Sequence, residues 1–250
     1  MLFSLEGYRA LVTGGSGAIG RAIAKAIAMQ GGEVVVSGTK PSALEATVQE
    51  VKSETGKTVY SIQCDLAHLD ESRELFQKAE QLAGQIDILV NNAGVNRDKL
   101  LMKMTEDDLY DALDINLRAA FSLSKAAVMS MSRRRYGRII NISSVVGYSG
   151  NPGQANYCAS KAGLVGMSKA IALEYAKRGI TVNCIAPGAV RTPMIEALSD
   201  RAQQTFIDKI PLGVMATPMD VACACCFVAS KEASYITGQT IHVNGGMLMA

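Results

Sequence analysis

The 250-residue chain has little net charge and no long apolar segment. Its formal charge is only +2, so nothing attracts it globally to nucleic acid or to a membrane surface, and we expect neither as a partner. No apolar run approaches the ~20 residues that a bilayer-spanning helix needs. The N-terminal segment has neither the basic stretch nor the cleavage site of a signal peptide. We therefore expect a cytoplasmic protein.

Residues that commonly bind metals are also few. The chain has six cysteines and only two histidines, His68 and His242, neither with an evident partner in the sequence. Cys223, Cys225 and Cys226 fall within an apolar helical pattern, where buried small side chains explain them better than a metal or redox site does. We predict no metal site.

Short apolar runs typical of strands alternate with helical patterns along the whole chain. The predicted strands are residues 8–13, 33–37, 58–64, 86–91, 137–142, 180–185 and 239–243, and the predicted helices are residues 18–30, 42–55, 69–83, about 106–133, 154–178 and 218–229. This alternation predicts a parallel sheet covered by helices on both faces. No linker or repeat interrupts it. We predict a single α/β domain over residues 1–250, a doubly wound fold of the Rossmann type with a seven-stranded parallel sheet.

A glycine-rich turn connects the first predicted strand to a helix. Gly15, Gly17 and Gly20 satisfy the pattern G-x-G-x-x-G. Glycines there permit a tight turn and close backbone approach, so a pyrophosphate can meet the amides at the helix N-terminus. The pattern is weak alone, but in this placement it favours a dinucleotide site over a flexible turn.

The end of the second predicted strand indicates which dinucleotide binds. An acidic residue there would bind the ribose 2′-hydroxyl of NAD(H) and repel a 2′-phosphate, but residues 37–40 are Ser-Gly-Thr-Lys. This favours NADPH, with Lys40 as a basic residue near the 2′-phosphate. The alternative for Lys40 is that it is only a solvated loop residue. Asp65, after the third predicted strand, either binds the adenine amino group or caps the next helix.

Residues 143–161, SSVVGYSGNPGQANYCASK, carry the most chemistry. Tyr157 and Lys161 are four residues apart at the start of a predicted helix, so they project from one face. Ser144 follows an apolar strand and can bring a hydroxyl to the same place. A free phenol has a pKa of ~10, which a neighbouring ammonium lowers. The sequence thus predicts a tuned proton donor for a carbonyl, although the Tyr-x-x-x-Lys spacing alone also fits an ordinary surface helix.

Further candidate site residues lie in segments that follow predicted strands and in the predicted helix at about 106–133. Asn91-Asn92-Ala93-Gly94 ends the fourth strand and should border the cofactor. After the sixth strand, the Pro187–Pro193 segment offers backbone groups and the Thr192 hydroxyl to a nicotinamide carboxamide. Asn116 is either a satisfied core residue or a site residue. Residues 191–215 form a long connection that we expect to be a substrate loop.

Together these features resemble the short-chain dehydrogenase/reductase family over essentially the whole chain. The resemblance is carried by Thr13-Gly14 with Gly20, the Asn-Asn-Ala-Gly turn, Asn116, Ser144, Tyr157-x-x-x-Lys161 and Pro187-Gly188. The phrases GRIINISSVVG, GNPGQANYCASKAGLVGMSKA, RGITVNCIAPG and YITGQTIHVNGGM are similar to the bacterial 3-oxoacyl-[acyl-carrier-protein] reductases of that family. This implies NADPH-dependent reduction of 3-oxoacyl-[acyl-carrier-protein] to the 3-hydroxyacyl form, in type II fatty acid biosynthesis. The alternatives are a reductase of acyl-CoA or small ketones and a catalytically silent regulatory module.

The resemblance also implies roles for individual residues. Tyr157 would donate the proton, Lys161 would lower its pKa and bind the nicotinamide ribose, and Ser144 would orient the ketone oxygen. Asn116 would hold a water that relays protons to Lys161. The implied cofactor contacts are Gly14, Ser16, Gly17, Ile19, Gly20, Thr39, Lys40, Asp65, Leu66, Asn92, Ala93, Gly94, Tyr157, Lys161, Pro187, Gly188, Val190 and Thr192.

Assembly and carrier binding are implied in the same way. Arg135 and Arg178 match basic residues that contact acyl carrier protein in these reductases, and a solvated basic face is the alternative. The resemblance implies a homotetramer with the helices at 106–133 and 154–178 at an interface and residues 247–249 near a neighbour.

The phosphate loop departs from the pattern of the family. Ala18 replaces its usual middle glycine, and Gly17 stands where many NADPH users carry a basic residue, which keeps NADH as an alternative.

Overall fold

A computed structural model describes residues 2–249, in which seven strands alternate with helices. Strands β1 to β7 are Arg9–Thr13, Glu33–Gly38, Val59–Gln63, Ile88–Asn91, Gly137–Ile142, Ile180–Pro187 and Thr240–Val243. Helices α1 to α10 are Ala18–Met29, Pro41–Thr55, Leu69–Ala83, Glu106–Leu113, Ala119–Arg134, Val146–Ser149, Ala155–Tyr175, Pro193–Glu196, Asp200–Ile207 and Pro218–Ala229. Each predicted strand is present, with ends that differ by at most two residues.

The strands form one parallel sheet in the order β3-β2-β1-β4-β5-β6-β7. The chain builds outward from β1 to β3, then returns to the other side of β1 and builds outward again. The strand order therefore reverses between β1 and β4, the point where open α/β sheets bind ligands at their carboxyl ends. The predicted doubly wound α/β fold is confirmed.

Two apolar clusters hold the helices against the sheet. On one face α1, α2 and α10 pack through residues such as Ile23, Leu44 and Val221. On the other face α3, α5 and α7 pack through residues such as Phe76 and Leu123. Because both faces are covered, the central strands are buried almost throughout, which explains their continuous apolar sequences.

The structure differs from the prediction in several helices, including the short helix α6, which was not predicted. The predicted helix at about 106–133 is divided into α4 and α5 by a π-helical turn, Asp114–Arg118, which contains Asn116. The predicted helix at 154–178 ends as α7 at Tyr175 and continues as a 3₁₀ turn. The connection at 191–215 contains α8 and α9, which were not predicted. Across residues 2–249, no helix combines the length and apolar character required to cross a bilayer.

Candidate active site

A cleft of about 690 Å³ lies at the carboxyl ends of the strands, on both sides of the reversal between β1 and β4. Its volume is within the range of pockets that enclose small molecules and cofactors. All of the predicted cofactor contacts except Lys40 line this cleft, and so does Ser144. Lys40 is exposed directly before Pro41, the first residue of α2, so only its flexible side chain can reach toward the rim.

The phosphate loop needs its glycines for different reasons. Gly14 has a left-handed φ of 65°, and a Cβ on Gly20 would lie 2.2 Å from the carbonyl oxygen of Gly14. A Cβ on Gly15 would lie 2.5 Å from Cβ of Val36, so this glycine is needed for packing against β2. Gly17 is extended, and its Cβ would make only an ordinary contact at 3.4 Å. Gly14 and Gly20 therefore set the turn, whereas position 17 has room for a side chain.

The turn leads into α1 in the manner that a diphosphate requires. Helix α1 begins at Ala18, and within the described chain no side chain caps its first turn. Its leading N–H groups therefore remain available to a phosphate oxygen, and the helix dipole favours the negative charge. The residues at this end of the cleft fit a dinucleotide.

Asp65 lies at the cleft and does not cap the next helix. It lines the cleft. Its carboxylate also accepts a hydrogen bond from the backbone N–H of Ala67 at 3.0 Å, in the turn before α3. It is not the N-cap of that helix, a position that His68 occupies.

Ser144, Tyr157 and Lys161 meet at one side of the cleft, as predicted. The Lys161 ammonium lies 5.4 Å from the centroid of the Tyr157 ring. It donates a hydrogen bond to the carbonyl oxygen of Ile142 at 2.8 Å, while the Ser143 hydroxyl donates to the carbonyl oxygen of Lys161 at 2.9 Å. This reciprocal pair joins the end of β5 to α7 and fixes Lys161, a residue that is 3% exposed.

The structure corrects the direction predicted for the pKa of Tyr157. Burial raises this pKa to about 12, and the interaction with the Ser144 hydroxyl only partly offsets it. Burial also lowers the pKa of Lys161 to about 8. The same desolvation acts on both groups because it favours whichever form is neutral.

Asn116 is buried beside the cleft and does not line it. Its amide forms two hydrogen bonds with the backbone of Val95, at 2.8 and 3.0 Å, and donates to the Ser160 hydroxyl at 3.0 Å. Asn116 is thus a satisfied buried residue whose hydrogen bonds hold a segment, at Val95, that does line the cleft. A Cβ on Gly94 would lie 3.1 Å from Oδ1 of Asn116 and 3.4 Å from Nζ of Lys161, so only glycine leaves this space open.

Arg135 and Arg178 lie far from the cleft of their own chain. Each precedes the start of a strand, β5 or β6, so both are at the amino end of the sheet. They are close to each other, because the Arg135 guanidinium donates to the carbonyl oxygen of Lys177 at 2.9 Å. Helix α7 and its 3₁₀ extension place Arg178 about 30 Å from Tyr157, at ~1.5 Å per residue.

Several residues that line the cleft were not predicted. They include Val95, Asn96, Ile115, Ser143, Met194 and Ile195. Ser143 directly follows β5, and Val95 and Asn96 lie in the loop after β4, so the rule that ligands lie beyond the carboxyl ends of parallel strands could have identified them. Met194 and Ile195 belong to α8, which has only four residues and is too short to leave a periodic pattern in the sequence.

Comparison with known proteins agrees with this geometry. Residues 14–248 match a family model described as "Enoyl-(Acyl carrier protein) reductase". The chain belongs to the short-chain dehydrogenase/reductase family. Its membership makes it an oxidoreductase that uses a nicotinamide dinucleotide.

Curated members of this family match the chain over nearly its whole length. "3-oxoacyl-[acyl-carrier-protein] reductase FabG" of Rickettsia conorii is 50% identical over 249 residues, which cover 99% of this chain and 100% of the relative. The protein of the same name from Staphylococcus aureus is 48% identical over 242 residues, covering 96% and 98%. "Nodulation protein G" of Rhizobium sp. is 48% identical over 248 residues, covering 99% and 100%.

Proposed function

We propose that this protein reduces 3-oxoacyl-[acyl-carrier-protein] to 3-hydroxyacyl-[acyl-carrier-protein] with NADPH, a step of type II fatty acid biosynthesis. The observation that carries the proposal is the meeting of Ser144, Tyr157 and Lys161 in a cleft whose other end fits a diphosphate. The names of the full-length relatives from Rickettsia conorii and Staphylococcus aureus support the substrate.

The reaction requires a proton donor and a site for developing negative charge. The bound nicotinamide dinucleotide would supply a hydride to the β-carbon of the substrate. Tyr157, protonated at neutral pH, would donate its proton to the ketone oxygen. The hydroxyls of Ser144 and Tyr157 would stabilise the charge on that oxygen as it forms. The Lys161 ammonium has three N–H donors, and the carbonyl of Ile142 takes one, which leaves two for ribose hydroxyls.

Substrate choice is tested by comparing acyl carriers. The purified protein should oxidise NADPH faster with acetoacetyl-[acyl-carrier-protein] than with acetoacetyl-CoA or a small ketone at equal concentration. Faster turnover of acetoacetyl-CoA or of an unrelated ketone would favour the alternative that the protein is a reductase of acyl-CoA or small ketones. Because the matching family model is described as an enoyl reductase, crotonyl-[acyl-carrier-protein] belongs in the same assay. Turnover of that substrate alone would overturn the proposal, and no turnover at all would favour a silent regulatory module.

Cofactor preference is tested at Lys40. The cleft lining at the end of β2 consists of Ser37, Gly38 and Thr39, with no carboxylate to repel a 2′-phosphate. One charge-assisted hydrogen bond is worth about 1.5–3 kcal/mol, so Lys40→Ala should lower the ratio of kcat/KM for NADPH to that for NADH at least about tenfold. Lys52→Ala, which replaces an exposed lysine on α2, is the control. An unchanged ratio in Lys40→Ala would leave this lysine as a solvated loop residue.

A homotetramer remains part of the proposal. Large apolar side chains are exposed on the helices expected at an interface, namely Tyr110 on α4, Phe121 and Met129 on α5 and Leu173 on α7, and Met249 is 83% exposed. Such a concentration of exposed apolar residues favours contact with another copy. Sedimentation should give a mass of four chains, and Phe121→Glu should reduce it.

Assembly would also give Arg135 and Arg178 a route to a cleft. A two-fold axis across α7 would make the two copies of this helix antiparallel, so the basic end of one copy would approach the Tyr157 end of the other. We propose that these arginines dock the acidic carrier in that way. Arg178→Glu should raise KM for acetoacetyl-[acyl-carrier-protein] severalfold more than KM for acetoacetyl-CoA, with Lys52→Glu as control. Equal changes in both KM values would argue against docking.

The connection at 191–215 is proposed as the substrate loop, because Met194 and Ile195 line the same cleft as Tyr157. Bulky substitution of Met194 should alter the dependence of KM on acyl-chain length.

A further inference from the structure

Asn156, the residue before Tyr157, is completely buried and forms three hydrogen bonds. Its side-chain amide donates to the carbonyl oxygen of Arg97 at 3.1 Å and to that of Asp108 at 2.9 Å. Its side-chain oxygen accepts from the backbone N–H of Tyr157 at 2.8 Å. Both amide hydrogens are therefore used, and one side chain connects the loop after β4, helix α4 and the start of α7.

The hydrogen bond from the N–H of Tyr157 to Asn156 lies at the start of α7. Gln154 is the N-cap, and among the described residues no side chain from that position caps the helix. The N–H of Tyr157 belongs to the first turn and has no partner within the helix. The oxygen of Asn156 fills that role, so the position of the Tyr157 backbone depends on where the Asn156 amide is held.

Two outer contacts join the same segments. The backbone N–H of Lys99 donates to the carbonyl oxygen of Gly153 at 2.9 Å, and the Gln154 amide donates to the Asp98 carboxylate at 3.0 and 3.1 Å. Asp98 and Lys99 are exposed, so water competes for these bonds. Among the residues that form these contacts, Asn156 is the buried one, so water does not replace a hydrogen bond that it loses.

We propose that Asn156 is a positioning residue that holds the Tyr157 phenol in the geometry required for proton transfer. The inference rests on the proposed function, since it needs Tyr157 to be the proton donor. Asn156 would not touch the substrate. Its effect would pass through the backbone of Tyr157, and a displacement of ~1 Å at a reacting group can lower the rate about 100-fold.

Asn156→Asp is the sharpest test because the two side chains have the same shape. The aspartate keeps an acceptor for the N–H of Tyr157 but loses both donors, and it faces two carbonyl oxygens. We expect kcat to fall about 10- to 100-fold, while the Kd for NADPH, measured by fluorescence in the absence of substrate, changes less than about twofold. Asn151→Asp, which alters an exposed amide in the same connection, should leave both values unchanged.

A solvent isotope effect separates positioning from a general structural role. If the phenol is displaced, proton donation becomes slower than hydride transfer, so the solvent deuterium effect on kcat should rise to about 2 or more in Asn156→Asp. A lower kcat with an unchanged isotope effect would overturn the proposal, as would an unchanged kcat. Asn156→Ser is the second variant. Failure of both variants to fold, judged by circular dichroism and thermal unfolding, would assign Asn156 to stability and would also overturn the proposal.

The wild-type protein separates this inference from the proposed function. If the wild type does not reduce acetoacetyl-[acyl-carrier-protein], the proposed function fails. If it does and the Asn156 variants keep the wild-type isotope effect, only the role of Asn156 fails.

Discussion

The ionisation of Lys161 should set the upper pH limit of activity. Burial lowers the pKa of this lysine from its ordinary value of 10.5 to about 8, whereas the pKa of Tyr157 is raised to about 12. Raising the pH from about 6 to about 10 should therefore remove the proton of Lys161 and leave that of Tyr157 in place. The proposed donor stays intact over this range, and the ammonium that would bind the ribose is lost.

The size of the effect follows from the pKa of Lys161. About half of the molecules retain the ammonium at a pH near 8, and the protonated fraction falls about tenfold for each further pH unit. If only the protonated form binds the cofactor productively, kcat/KM for NADPH should be about 100-fold lower at pH 10 than at pH 7. The parameter kcat/KM is the appropriate one because it reports ionisations of the free enzyme, the state that the structure describes.

The assay is the initial rate of NADPH oxidation with saturating acetoacetyl thioester, over about pH 6 to 10 in buffers of constant ionic strength. Thermal unfolding at each pH shows whether the protein stays folded. Lys161→Met should lack the break near pH 8 because it has no proton to lose. A wild-type profile that stays flat to pH 10, or that breaks only near 10.5, would refute the argument that burial lowers the pKa of Lys161.

Three further predictions concern the same cleft. Tyr157→Phe should lower kcat by about 10²–10⁴ and leave the Kd for NADPH nearly unchanged; retained activity in a rate assay would remove Tyr157 from its role. Gly20→Ala should destabilise the protein by about 1–3 kcal/mol and weaken NADPH binding because its Cβ would meet the carbonyl of Gly14, whereas Gly17→Ala should change neither the melting temperature nor the Kd. Gly17→Arg, at a position with open space, should raise the preference for NADPH over NADH about tenfold or more, measured as the ratio of kcat/KM values; an unchanged ratio would show that this side chain does not reach the 2′-phosphate.

The fold was predictable from sequence because a parallel sheet covered on both faces leaves a simple pattern. Its central strands contain continuous apolar runs, as in residues 10–12 and 88–90, and amphipathic helices separate them. The π-helical turn at Asp114–Arg118 was not predictable, since the spacing of apolar residues continues through it without interruption. Helix α9 was not predicted because it is only eight residues long and lies in a polar segment, and none of its residues is buried in the core.

The site was predictable where sequence position fixes the place in the fold. Residues that follow the carboxyl ends of strands must meet at one edge, and Asn92 and Ser144 do so. Asn156 was missed because its two backbone acceptors lie 59 and 48 residues away in sequence, a separation that no local pattern reports. Arg135 and Arg178 illustrate the same geometric rule in reverse, since residues that precede strands lie at the edge opposite the cleft.

The spacing of Tyr157 and Lys161 predicts that they are neighbours but not how much water reaches them. Proximity to an ammonium lowers the pKa of a phenol, and burial raises it. The direction of the pKa shift therefore depends on burial, which the four-residue spacing does not indicate. Here burial raises the pKa of Tyr157 to about 12, so the phenol is protonated at neutral pH, as a phenol with the ordinary pKa of ~10 would also be. The proposed reaction uses this state, in which the phenol has a proton to give to the ketone oxygen.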